Sequence, residues 1–486
     1  MATAETLNKY EMTIGIECHV QLATDTKLFS GADNAARDKD PNIATSPIDF
    51  GLPGMLPVLN KRAVELAVKA GKALNSEIAE VSRFDRKHYF YPDLPKGYQI
   101  SQMYEPIILE GYIDAPLEDG SSVRVRIHHA HIEEDAGKLT HYGTYSLVDL
   151  NRAGTPLIEI VSEPDIHSPA EAKAYATELH RLMTYAGVTL GNLFHGNMRF
   201  DVNISIAKKG ATELGTRAEI KNLNSFRSVE RAAQYEFERQ VDVLESGNKV
   251  VQETRGWDDS KGKTSSQRSK EDAQDYRYMP DPDIPPVVLT KEEIEAIQAD
   301  VPALPNTYRE LWIDLKMDRS VVEALIATQS YAILVSEVQA KYGNDTAKRV
   351  AHWFASAVGS ISEDDSTGGE VTNLKPNSYG ELSQMVAKNE LSSTAAKESF
   401  NEHLNNDASP REIAESRNLL QVSDTGAIDA IVDEVLADPA SVQSIEDIKA
   451  GKDKAIGFLV GQVMKKSQGK ANPAMAQKAI REKIGG

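Results

Sequence analysis

The sequence predicts an α+β protein in three parts. A mixed or antiparallel-sheet domain is expected over residues 1–292, an all-α helical domain over 293–408 and a small helical tail domain over 409–486. Three observations carry this. Residues 1–290 are rich in β-branched residues, Gly and Pro, with apolar and polar residues alternating as in strands. The Pro-dense stretches "MPDPDIPP" (279–286) and "VPALP" (301–305) punctuate the chain. Beyond them, "RSVVEALIATQSYAILVSEVQAKYG" and "AKRVAHWFASAVGSI" place apolar residues at helical spacing, and "SEDDSTGGE" (362–370) reads as a polar loop. A length of 486 residues agrees with about three domains at roughly 100–200 residues each.

Taken in order, the first strand is "MTIGIECHVQL" (12–22). Ile14, Ile16, Cys18 and Val20 share one face, and Glu17, His19 and Gln21 share the other. Cys18, the only cysteine, therefore points into the apolar layer and lacks the neighbouring base that a nucleophile needs. "VRVRIHHAHIEE" (123–134) alternates and then slips phase near Ala130, as at a β-bulge, just before the acidic pair Glu133–Glu134. "PLIEIVSEPD" (156–165) is nearly all apolar around Glu159, so that carboxylate needs a partner to offset its desolvation. "MRFDVNISI" (198–206) sets Asp201, Asn203 and Ser205 opposite an apolar face. "TRAEIKNLNSFRSVERAAQYEFERQ" (216–240) runs from a polar loop into a long amphipathic helix with Asn224 or Ser225 as N-cap. From residue 375 onward, Ser393, Ser409-Pro410 and Asn472-Pro473 mark helix starts.

Glu17, His19, Glu134 (or Glu133), Glu159 and Asp201 are thus candidates for one polar floor on a sheet. Carboxylates with an occasional imidazole suit Mg²⁺ or Mn²⁺, which keeps positions for phosphate and water. The alternative pairs each carboxylate with Arg83, Arg86, Arg152 or Arg199. In "FDRKHYFYPDLPKGYQISQ" (84–102), aromatics beside Arg86, Lys87, His88 and Lys96 suit either a base-stacking surface or the edge of a core. "GWDDSKGKT" (256–264) imitates a phosphate-binding loop but has five residues, not four, between its first Gly and the GK[ST] group. "DFG" (49–51) lacks the other kinase signatures.

The formal net charge of −19 excludes a protein coated in cations for non-specific nucleic-acid binding. Yet residues 451–486 hold eight Lys/Arg, among them Lys452, Lys454, Lys465, Lys466 and Lys470, against Asp453 and Glu482, so this end suits an anionic partner. No apolar run approaches the roughly 20 residues of a membrane span. The N-terminal stretch lacks the plan of a signal peptide, and the expected location is the cytoplasm.

"GIECHVQLATDTKLFS", "LPGMLPVLN", "FDRKHYFYPDLPKGYQISQ", "HIEEDAGKLTH", "LVDLNRAGTPLIEIVSEPDI", "RFDVNISI", "EIKNLNSFRSVERA", "QETRGWDDSKGKT" and "DYRYMPDPDIPP" occur in that order across residues 11–286. Together with "GKDKAIGFLVGQVMKKSQGKANP" (451–473) they resemble the B-subunit family of bacterial aspartyl/glutamyl-tRNA amidotransferases. The resemblance implies a cradle-shaped sheet domain. It implies a magnesium-dependent ligase that uses ATP to phosphorylate the side-chain carboxylate of Glu-tRNA(Gln) or Asp-tRNA(Asn), after which ammonia displaces the phosphate. It also implies partners in a heterotrimer: an amidase A subunit that frees ammonia from glutamine, and a small C subunit. The family's magnesium-binding residues fall on Glu17, His19, Glu134 and Glu159, and Asp201 is added from the strand pattern. Lys87 matches a residue associated with the ammonia route, and the tail cations are expected to hold tRNA. Many relatives carry two cysteine pairs for zinc in the segment that here reads "LFSGADNAARDKDPNIATSPIDFGLPG", so no zinc is expected. Two rival functions remain: a non-catalytic scaffold that recruits tRNA, and a stand-alone ligase acting on a free metabolite.

Overall fold

The computed structural model describes residues 3–269, 275–358, 374–421, 425–467 and 471–485. The chain divides into two compact units, Met1–Thr307 and Tyr308–Gly486. The first combines sheet and helix, and the second is helical among its described residues, so the fold class is α+β. The expected loop at 362–370 and Lys470 lie outside the described residues.

The first unit contains strands β1 (Tyr10–Gln21), β2 (Val81–Ser82), β3 (Asp85–His88), β4 (Tyr98–Ser101), β5 (Gly111–Pro116), β6 (Ser122–Glu134), β7 (Lys138–Tyr142) and β8 (Tyr145–Asp149). They are followed by β9 (Pro156–Ser162), β10 (Met198–Lys208), β11 (Ala218–Leu223), β12 (Glu253–Asp258), β13 (Lys263–Ser269), β14 (Met279–Pro280) and β15 (Val287–Val288). Eight form one sheet in the order β13-β12-β11-β10-β1-β9-β6-β5. All its neighbours are antiparallel except β11 and β12. The helices of this unit are α1 (Ala4–Leu7), α2 (Lys61–Ala73), α3 (Pro169–Tyr185), α4 (Phe226–Glu245) and α5 (Lys291–Ala299).

The alternation of β1 is realised residue by residue. Ile14, Ile16, Cys18 and Val20 are at most 1% exposed, while Glu17, His19 and Gln21 are half-buried on the other face. The apolar face packs with Ala67, Tyr175, Leu179 and Val229 of the helices in one core cluster. Ser225, one of the two expected caps, begins α4 by accepting a hydrogen bond from the Ser228 N–H. The β-bulge in β6 falls between Ile127 and His129, earlier than expected. "GWDDSKGKT" is the hairpin joining β12 to β13, not a loop opening a helix.

The second unit continues with α6 (Pro305–Leu311), α7 (Arg319–Ile326), α8 (Gln329–Tyr342), α9 (Asn344–Val358), α10 (Pro376–Ala387), α11 (Ser393–His403) and α12 (Pro410–Ser416). Tyr331, Phe354, Tyr379 and Phe400 form an aromatic core here. The helix expected at Ser393 is capped one residue earlier, by Ser392. The chain ends in α13 (Thr425–Leu436), α14 (Val442–Lys449), α15 (Ile456–Lys466) and α16 (Pro473–Ile484), with a core cluster of Ile428, Val432, Leu459, Val463 and Ile480. Asn472 caps α16 with Pro473 in its first turn. No single described helix is long and apolar enough to cross a membrane.

Candidate active site

Pairing in the sheet brings distant residues onto one face. Glu17 lies opposite Asp201, and His19 lies between Arg199 on one side and Glu159 on the other. Glu159 in turn lies opposite His131. The polar floor therefore runs across β6, β9, β1, β10 and β11, and it resolves into two groups.

The first group is His19, Glu133 and Glu159, whose ligand atoms all lie within 4.8 Å of one another. His19 Nε2 is 3.7 Å from Glu133 Oε1 and 3.7 Å from Glu159 Oε2. Behind them, His131 Nε2 lies 3.3 Å from Glu159 Oε2 and 3.6 Å from Glu133 Oε2, and Ser101 Oγ donates to Glu133 Oε2 at 3.3 Å. Burial opposes charge on His131, but hydrogen bonds and attraction from the two carboxylates overrule it, raising its pKa to about 10. Burial likewise opposes charge on Glu159, and His131, His19 and Lys87 overrule it, holding this carboxyl well below the usual range. Lys87, with its Nζ 4.9 Å from the Tyr276 ring, stays charged against burial through Glu133, Tyr278 and Glu159.

The second group is Glu17, Asp201 and Glu219. Lys221 Nζ bridges Asp201 Oδ2 at 2.8 Å and Glu219 Oε1 at 3.0 Å, while Asn203 Nδ2 donates to Glu17 Oε1 at 3.0 Å. Desolvation and the charges of Glu159, Glu219 and Asp201 raise the Glu17 pKa.

Of the five expected ligands, His19 and Glu159 fall in the first group, Glu17 and Asp201 in the second, and Glu134 in neither. Glu134 shares a strand face with Ala130 and Ile132, both wholly buried. Its two oxygens accept from Lys96 Nζ at 2.5 and 2.6 Å, and Oε1 also accepts from the Ile100 N–H at 2.9 Å. Period two then delivers Glu133, with His131, to the floor. Counting alternation back from the apolar Ile132 gives the same answer in the sequence, where Glu133 stood as the alternative to Glu134; the residues overlooked were His131 and Glu219. Glu219 was hidden because "AEIKNL" read as a loop, although Ala218 and Ile220 alternate with Glu219 and Lys221 as a strand requires.

The arginine alternative fails for these carboxylates. Arg83 pairs with Glu105, Arg86 with Asp281 and Asp283, and Arg152 and Arg199 both pair with Asp135. The first group thus holds two carboxylates and an imidazole with no arginine among them. A six-coordinate Mg²⁺ with bonds of about 2.1 Å sets neighbouring donors about 3 Å apart and opposite ones about 4.2 Å apart. The 3.7 Å spacings are each within about 1 Å of these values, so the donor set suits a divalent cation in chemistry and needs only small side-chain shifts to close on one. In the second group, the Lys221 ammonium already lies between two of the carboxylates.

In the tail, Lys452, Lys454, Lys465 and Lys466 are exposed. Lys465 and Lys466 occupy the last turn of α15, where cations complement the helix dipole.

Residues 12–295 match the family described as the GatB/GatE catalytic domain, and residues 334–484 match the GatB domain. The chain belongs to the GatB/GatE family. It is 47% identical over 98% of its length to the B subunit of the aspartyl/glutamyl-tRNA(Asn/Gln) amidotransferase of Persephonella marina, covering 99% of that protein. Identity is 44% to the same-named protein of Trichodesmium erythraeum over 100% of this chain and 99% of the relative. To that of Halorhodospira halophila it is 46%, over 98% of this chain and 100% of the relative. The residues of the polar floor lie within the first matched region of this GatB-family chain, and α9 to α16 lie within the second.

Proposed function

We propose that this chain is the subunit that activates the side-chain carboxylate of Glu-tRNA(Gln) or Asp-tRNA(Asn) and converts it to the amide. It works beside an amidase A subunit and a small C subunit. The observation that carries the reading is the convergence of His19, Glu133 and Glu159, from three strands, into a donor set suited to a divalent cation on a family background of tRNA amidotransferase B subunits.

A carboxylate is a poor electrophile. Its oxygen attacks the terminal phosphorus of ATP, the bond to the bridging oxygen of ADP breaks, and an acyl phosphate results. Ammonia then attacks the acyl carbon, and inorganic phosphate leaves with the former carboxylate oxygen. Mg²⁺ bound at the first group would offset charge on the phosphate oxygens during transfer. The protein's own residues prepare the site. His131 holds Glu159 ionised and orients it, while Ser101 fixes Glu133. Lys87, also proposed to line the ammonia route, faces the carboxylates as a fixed cation. Asn203 holds Glu17, and Lys221 keeps Asp201 and Glu219 together as a neutralised wall. The tail from about residue 409, through Lys452, Lys454, Lys465, Lys466 and Lys470, is proposed to grip the tRNA backbone.

The test is ATP turnover by the assembled complex with and without Glu-tRNA(Gln). Turnover is expected only with the misacylated tRNA. Equal rates without it favour a ligase acting on a free metabolite, and full turnover by Glu133→Gln favours a scaffold.

A further inference from the structure

The polar floor continues past the carboxylates. On β1 and the strand paired with it, cross-strand neighbours step from Glu17/Asp201 to His19/Arg199 and then to Gln21/Asn197. Each step is two residues, about 7 Å. Charge changes along this row, from carboxylates to a guanidinium and then to amides. Asn197 Nδ2 donates to Gln21 Oε1 at 3.0 Å, and the Gln21 N–H donates to the Asn197 carbonyl at 2.8 Å. Beyond this last pair the chain turns through residues 191–196.

That turn is stiffly built. The Asn192 N–H donates to Asn197 Oδ1, the His195 N–H donates to Asn192 Oδ1, and the Asn197 N–H donates to the Asn192 carbonyl. Gly191 and Gly196 take the positive φ angles, +68° and +70°, that close it. His180 Nε2 holds the Gly191 carbonyl from the helix beneath, at 2.7 Å. So firm a loop nevertheless displays Phe194 at 78% exposure. The Arg37 guanidinium lies 6.0 Å from the Phe194 ring centroid, and the His195 ring lies 5.7 Å away. The Phe194 ring is thus solvent-exposed on a well-braced turn with a guanidinium and an imidazole beside it, open to a further planar partner.

We propose that Phe194, flanked by Arg37, is the stacking platform for the terminal nucleobase of the acylated RNA strand. This rests on the function proposed above. The amino acid is esterified to the last nucleoside, so a side-chain carboxylate at His19, Glu133 and Glu159 leaves that nucleoside to run outward along the row. Arg199, next to His19, is part-exposed and shares Asp135 with Arg152, so it can still face the strand's negative charge, and an unpaired base then finds an aromatic face with a guanidinium beside it. Single-stranded ends are held in this way, by stacking on aromatics and by cations along the backbone.

The test uses the assembled complex and Glu-tRNA(Gln) whose 3′-terminal adenine is replaced by 2-aminopurine, with fluorescence quenching read on binding. Wild type and Phe194→Trp are expected to quench. Phe194→Leu is expected to lose the quenching and to raise KM for the tRNA by about tenfold or more, with a much smaller change in kcat. Mn²⁺ affinity serves as the folding control. Wild-type quenching and KM in Phe194→Leu overturn the proposal, as does loss of subunit assembly with quenching intact. Quenching needs no turnover. ATP consumption that ignores tRNA in the wild type therefore sinks the proposed function and leaves this test readable.

Discussion

Replacing each glutamate of the Glu133–Glu134 pair by glutamine separates the two roles the structure gives them. Glu134 is 2% exposed at its side chain and Lys96 is 7% exposed, so their ion pair is buried. Breaking a buried pair costs roughly 3–5 kcal/mol, because the remaining charge stays out of water. Glutamine keeps one acceptor oxygen for either Lys96 or the Ile100 N–H, which puts Glu134→Gln near the lower end, about 3 kcal/mol. For a unit of this size that lowers Tm by about 5 °C. Glu133→Gln removes an anionic donor from the first group. Losing an outer-shell partner alone costs about 10–100-fold in metal affinity, so losing the donor is expected to cost more than about 100-fold in Mn²⁺ binding. Thermal unfolding followed by circular dichroism and Mn²⁺ titration followed by electron paramagnetic resonance read the two effects. If Glu134→Gln weakens Mn²⁺ as much as Glu133→Gln while Tm stays unchanged, the placement of the two carboxylates on opposite faces is refuted.

Other outcomes follow from the same structure. In metal-free protein, the raised His131 pKa means its contribution to stability is fully present below about pH 6.5 and is lost as pH rises through about 10. Tm should therefore fall across that window, and His131→Gln should flatten the fall; an unchanged slope in the variant contradicts the charged His131. Cys18 is wholly buried and its thiol is pushed up by desolvation, so Cys18→Ala should keep turnover, and a thiol reagent should modify it only after unfolding. Removing residues 410–486 should weaken tRNA binding and flatten its salt dependence while the sheet unit stays folded, as read by filter binding across a salt series.

Much of the floor was legible because period-two alternation is a local property. Glu17 and His19 on one face of β1, with Cys18 on the other, follow from eleven residues without knowledge of any neighbour. Register is not local. That His19 meets Glu159, and that Glu17 meets Asp201, depends on which strands pair and at what offset, and nothing within either strand states that. The Glu133–Glu134 pair is a different case. Both glutamates follow the bulge whether it falls at Ala130 or between Ile127 and His129, so their phase is the same: Glu134 shares the core face with Ile132 and Glu133 faces the floor, and the choice of Glu134 came from the resemblance rather than from the alternation. Lys96 was legible only as a basic residue in a Pro/Gly loop; its role as the buried partner of Glu134 needed the loop's path. Asp201 was found by pattern, but the Lys221 that neutralises it lies on a strand misread as loop.

The most direct measurement is the anomalous scattering of Mn²⁺ in crystals of the complex grown with a nucleotide. Density is expected within bonding distance of His19 Nε2 and of the carboxylates of Glu133 and Glu159, with the terminal phosphate on its open side. A metal ion bound at Glu134 and Lys96, or none within reach of His19 and Glu159, contradicts the proposed site.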